Sequence, residues 1–139
     1  MTDAQYPLLD NAIDIYCGQL KAMGLAPDTD KSDMETNIGF RYDDEDFYLE
    51  LDNDDLQNVR FTLAYALSDR QKTDRVRLLE TALEITTECT AVAALIDEEN
   101  DVVFRYDAFV GPELDISPVL TRILDSLQVA QELFFTKLT

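Results

Sequence analysis

Reactive side chains are scarce in this 139-residue chain: many carboxylates, two cysteines (Cys17 and Cys89) and no histidine. Without histidine the usual general base near neutral pH is missing, as is the commonest nitrogen ligand of zinc, copper or iron. Neither cysteine has an imidazole to draw off its proton, so thiol catalysis of the ordinary kind is not expected. The cysteines stand far apart and in no paired motif. Buried, reduced thiols are the expected state, with a single disulfide as the alternative. Four glycines supply no phosphate-cradling loop and no dinucleotide fingerprint.

The carboxylates raise two further possibilities, cation binding and hydrolysis by a carboxylate pair. A calcium loop of the EF-hand type wants Gly at its sixth position and Glu at its twelfth. From Asp52 those positions hold Gln57 and Leu63; from Asp28, Asp33 and Gly39; from Asp97, Val102 and Ala108. All three fail. Weak cation binding at Asp43 to Asp46 or Asp52 to Asp55 is a lesser alternative to turns rich in Asp. A set of 29 acidic residues always offers some pair for glycosidase-like chemistry, but these concentrate in turns, where a solvated surface explains them. No metal site, no cofactor and no enzymatic activity are expected.

Net charge is −18, with a pI near 4.1. Phosphate backbones and anionic membrane surfaces would be repelled, so neither nucleic acid nor membrane is an expected partner. A basic protein segment remains compatible with the charge, as does a purely solubilising role. Hydrophobic residues make up 46% of the chain, enough for the core of one domain spanning 1–139. No run approaches the roughly 20 apolar residues of a membrane span. Met1 to Gln5 lack the basic start and apolar stretch of a secretory signal, so a soluble, cytoplasmic protein is expected.

The periodicity predicts an α+β domain of order α-β-β-β-α-β-β-α, with a five-stranded, mainly antiparallel sheet packed by helices. Pro7 opens a helix carrying Leu9, Ala12, Ile13, Tyr16, Leu20 and Met23, and Gly24 closes it. Residues 26–36 read as a loop. Three strands with period-2 alternation follow: Ile38, Phe40 and Tyr42; Phe47, Leu49 and Leu51; Val59, Phe61, Leu63, Tyr65 and Leu67. Acidic hairpin turns separate them, Asp43 to Asp46 and Asp52 to Asp55. A second helix spans about 73–88. The stretch 91–96 is apolar on both faces, as a central strand would be. Val102 to Phe109 forms the fifth strand, and Ser117 caps a last helix with Pro118 at its first position.

The apolar arc of each helix covers about half the cylinder, wider than the roughly 100° stripe that a sheet requires. On helix 2, Leu79 and Leu83 lie on one flank and Leu78, Ala82 and Ile85 on another. Extra packing within one subunit is one explanation. A homodimer seam through Leu78, Ala82 and Ile85 is the other.

The segments Phe47 to Asp52, Leu78 to Leu83 and Val102 to Asp107, with the closing amphipathic helix, resemble the type III secretion chaperones and equally the YbjN-like proteins, which share that fold. The resemblance covers nearly the whole chain. It implies a bacterial cytoplasmic homodimer that binds, without catalysis, an extended segment of a client or effector polypeptide. Client contacts are then expected at Ile13, Tyr16 and Leu20 on helix 1 and at Phe104 and Tyr106 on the fifth strand. Ordinary core packing is the competing account of all five. The charged first hairpin makes a basic client segment the expected one. A second class of function also fits the charge: an acidic regulator that occupies a partner's basic surface in imitation of nucleic acid.

Overall fold

A computed structural model describes residues 5–109 and 111–139. The expectation drawn from Met1 to Ala4 lies outside the described residues. The elements are α1 (Gln5–Ala22), β1 (Asp28–Lys31), β2 (Glu35–Tyr42), β3 (Glu45–Asp52), β4 (Asp55–Tyr65), α2 (Arg75–Glu88), β5 (Val92–Ile96), β6 (Val102–Phe109) and α3 (Ser117–Leu138). The sheet is antiparallel throughout, in the order β1-β2-β3-β4-β6-β5.

Each helix end follows from local chemistry. Gly24, at φ 83°, closes α1: its N–H donates to Lys21 O at 2.9 Å and the Leu25 N–H donates to Leu20 O at 3.1 Å. That pair of bonds is the Schellman arrangement, which needs a left-handed residue where glycine stands. Asp74 begins α2 by accepting the Arg77 N–H at 3.1 Å. The expected Ser117 cap of α3 is corrected. Ser117 is the first helical residue, and Asp115 accepts its N–H at 3.0 Å.

Strand alternation divides the sheet into two faces. Ile38, Leu49, Phe61, Tyr106 and Val92 fall in register across one face, with Phe40, Phe47, Leu63, Phe104 and Ala94 in the next row. All but the half-buried Tyr106 are buried, in one apolar cluster with residues from all three helices. Helix α2 lies on β5, and α3 lies between α2 and the central strands. An ion pair from Lys31 to Asp10 ties α1 to β1.

Two expectations about the sheet are corrected. Among the described residues it has six strands, because part of the predicted loop, Asp28–Lys31, pairs with β2. Its four side chains are all exposed, so no apolar alternation could announce it. The stretch 92–96 is an edge strand rather than a central one. α2 folds back onto this edge and buries Val92 and Ala94, while Leu95 on the other face is 40% exposed; Thr86 Oγ1 accepts the Ala94 N–H at 2.9 Å and donates to Ala82 O at 3.0 Å. A side chain thus occupies a backbone donor that would otherwise invite another strand.

Candidate interaction surfaces

The residues expected to contact a client lie mostly inside. Ile13, Tyr16, Leu20 and Phe104 are buried in the core, and Tyr106 is half-buried in its Ile38–Val92 row. The faces that look sticky in the sequence are the ones the sheet and α1 use to cover each other. Tyr16 is an extreme case: its hydroxyl has no hydrogen-bond partner among the described residues, and burial, with the Glu113 carboxylate second, pushes its phenol up to about 12. Leu78, Ala82 and Ile85, expected at a dimer seam, are also buried, packed toward β5 and α3.

The exposed apolar side of α2 is its other flank. Val76, Leu79 and Leu83 are 64%, 44% and 66% exposed and recur at helical spacing. A charged, exposed flank of α2 meets the end of α3. Lys137 reaches Glu84 at 3.4 Å and Glu88 at 3.3 Å, and Arg77 donates to Lys137 O at 2.6 Å. Those two carboxylates hold the Lys137 ammonium above its ordinary pKa. The 100° plot separates the two flanks of α2 correctly; only the order of pairing, unknown from sequence, tells which one the sheet takes.

The second open surface is the far face of the sheet, which no helix among the described residues covers. One row reads Asp28, Gly39, Tyr48, Thr62, Arg105 and Ala93; the next reads Asp30, Asn37, Glu50, Arg60 and Asp107. Arg60 donates to Asp107 at 2.7 Å, and Arg105 lies 3.3 Å from the same carboxylate. Apolar side chains interrupt this polar surface at Tyr48, Leu95 and Phe109, the last 82% exposed. The acidic hairpins sit at both ends of the sheet. The register places the β2–β3 and β5–β6 turns at one end and the β3–β4 turn at the other. Negative charge is therefore not gathered on one face.

Reactive chemistry is thin on these surfaces. The Cys89 thiol, at the end of α2, is raised by burial and then by Glu88, so it keeps its proton at neutral pH. Among the described residues no group of three or more His, Cys, Asp or Glu is placed to hold a metal ion. No helix among them is long and apolar enough to cross a membrane.

The same arrangement of sheet and helices recurs in solved structures. An uncharacterised protein from Methanothermobacter thermautotrophicus aligns with a TM-score of 0.70 at 11% identity, over 91% of this chain and 96% of that one. YbjN from E. coli aligns with a TM-score of 0.59 at 13% identity, over 88% of both chains. The Yersinia pestis type III secretion chaperone SycH, solved in complex with a stable fragment of YscM2, aligns with a TM-score of 0.52 at 8% identity, over 86% and 98%. At such identities the likeness establishes the fold. No curated protein matches the sequence. The model of the YbjN family, described as "Putative bacterial sensory transduction regulator", matches residues 14–133, and the chain belongs to that family.

Proposed function

We propose that this YbjN-family chain is a non-enzymatic, cytoplasmic protein that acts as one domain and binds another polypeptide as a homodimer. The observation that carries the reading is the solvent-facing stripe Val76, Leu79 and Leu83. Three large apolar side chains on the charged surface of a −18 protein do nothing for the subunit's own core. An exposed apolar patch of that kind marks a contact surface. The second copy takes the α2 stripe, and the client lies along the uncovered sheet face, with Tyr48, Leu95 and Phe109 as its apolar holds. The likeness to SycH supports the reading, because that fold accommodates a partner's polypeptide. Acidic hairpins at both ends of the sheet favour a basic client over imitation of nucleic acid, which needs its charge on one face.

Two measurements test it. Analytical ultracentrifugation is expected to give twice the 15.8 kDa chain mass. Leu83→Glu should return it to one chain mass with an unchanged circular dichroism spectrum. A wild-type protein that sediments as one chain overturns the dimer. Affinity capture from native lysate with a high-salt wash is expected to retain one stoichiometric polypeptide, protected from protease over an extended segment. Recovery of the bare protein, or of partners lost as salt rises, overturns the client reading, since exposed charge pairs alone are screened by salt.

A further inference from the structure

One hollow on the open face has no role in holding the subunit together. Register sets Asp28 beside Gly39 and Gly39 beside Tyr48 across β1, β2 and β3. A Cβ at Gly39 would lie 3.2 Å from Tyr48 Cε1, so the missing side chain is what lets the ring lie against the β2 backbone. Tyr48 stays 44% exposed there. Asp30 stands beside Asn37 in the neighbouring row. These residues enclose an open hollow of about 670 Å³. The Asp46 carboxylate on its rim is taken by Arg41 at 3.1 Å, but Asp28 and Asp30 make no ion pair among the described residues.

We propose that this hollow takes a cationic side chain, arginine or lysine, from the polypeptide partner, a proposal that rests on the polypeptide-binding reading above. An aromatic face attracts an organic cation within about 6 Å of its centroid. Arginine fits best, because its planar guanidinium stacks on the ring while its N–H groups reach carboxylates on either side. Asp28 and Asp30, both exposed, supply the opposite charge on one flank. A metal ion is a poorer fit: a hard cation wants about six oxygens, and no third ligating residue joins the two aspartates.

The test is an NMR titration of the full chain with N-acetyl-arginine methylamide, and with the neutral, near-isosteric citrulline compound as control. The arginine probe is expected to shift the amides of Asp28, Asp30, Gly39 and Tyr48, with citrulline binding about tenfold weaker. The Asp28→Asn/Asp30→Asn double variant and Tyr48→Leu should each weaken the arginine probe severalfold, and Tyr48→Phe should retain it. Equal binding of citrulline overturns the site. So do shifts spread over the Asp43–Asp46 and Asp52–Asp55 turns that survive the double variant. Capture of a polypeptide with equal affinity by wild type and double variant overturns this site and leaves the polypeptide reading standing. Localised arginine binding with no polypeptide retained overturns that reading and leaves the cation site.

Discussion

The two faces of the sheet are built from the same strands, residue by residue in alternation, yet they obey different rules. On the covered face nearly every side chain is apolar and buried, and rows such as Phe40, Phe47, Leu63, Phe104 and Ala94 interlock with the helices. On the open face arginines, aspartates and a lone tyrosine stand in neighbouring rows, and ion pairs there are partly exposed. Burial makes the first face unforgiving of substitution, because lost contacts and cavities are not repaired by water. Solvent makes the second tolerant, which leaves it free to be shaped by a partner.

The sharpest way to break that contrast is to truncate one residue on each face of adjacent strands. Phe104→Ala on β6 should cost about 3–5 kcal/mol in chemical denaturation. Arg60→Ala on β4, which loses the 2.7 Å bond to Asp107, should cost under about 1 kcal/mol because that pair is screened by water. Comparable losses at the two sites would mean that the open face is part of the stabilising core, and the proposed contact surface would have to move elsewhere.

Tyrosine ionisation separates the faces next. Tyr16, Tyr42 and Tyr65 all serve the covered side, and each phenol is raised. Burial leads for Tyr16 and Tyr65, and the hydrogen bond to Asp125 at 2.9 Å leads for Tyr42. A raised phenol keeps its proton in the folded chain while the unfolded chain gives it up. Its contribution is therefore whole below about pH 10 and drains away as pH climbs through that value toward the folded one. For Tyr16, pushed up to about 12, the loss amounts to roughly 2 kcal/mol by pH 12. Tyr16→Phe should shrink this alkaline loss. It should also raise neutral-pH stability by about 1 kcal/mol, because it deletes a buried hydroxyl that has no partner among the described residues. A variant less stable than wild type at pH 7 would show that the hydroxyl has a partner after all.

How far the sequence could be read follows from the same division. Helix and strand periods, the Gly24 cap and the β2–β3–β4 meander were legible because burial writes a period into the chain. β1 was not, since an edge held by backbone hydrogen bonds with four exposed side chains leaves no period. β5 looked central because α2 shields its edge through Thr86, a contact between residues eight apart that composition does not reveal. The surfaces were hardest. A wide apolar arc signals more than one contact without saying which flank meets the sheet: Leu78, Ala82 and Ile85, expected at a seam, are the buried flank, and Val76, Leu79 and Leu83 the exposed one. The hollow at Tyr48 depends on register, which brings together residues from three strands that are unremarkable one by one.

Register itself supplies the smallest and most specific prediction. A one-residue slip of β3 against β2 would leave Phe40 inward but turn Phe47 outward and Tyr48 inward, so the turn between them keeps the faces apart. That turn is two residues long, Asp43 and Asp44, with Tyr42 paired to Glu45 across it. Both aspartates hold left-handed backbone, at φ 50° and 63°, the type I′ geometry that favours Asn or Asp followed by glycine. Asp44→Gly should therefore stabilise the protein by about 0.5 kcal/mol. The bond from Arg41 is kept, because it is accepted by the Asp44 backbone carbonyl at 2.9 Å. Asp54 occupies the matching turn between β3 and β4 without a left-handed φ, and its N–H donates to Asp52 Oδ1 at 3.0 Å. Glycine there should cost about 0.5–1 kcal/mol, since it adds freedom to the unfolded chain and relieves nothing in the folded one. Opposite signs in paired denaturation curves would confirm that the first hairpin turn sets the register; equal signs would mean that the packed rows of the covered face hold it alone.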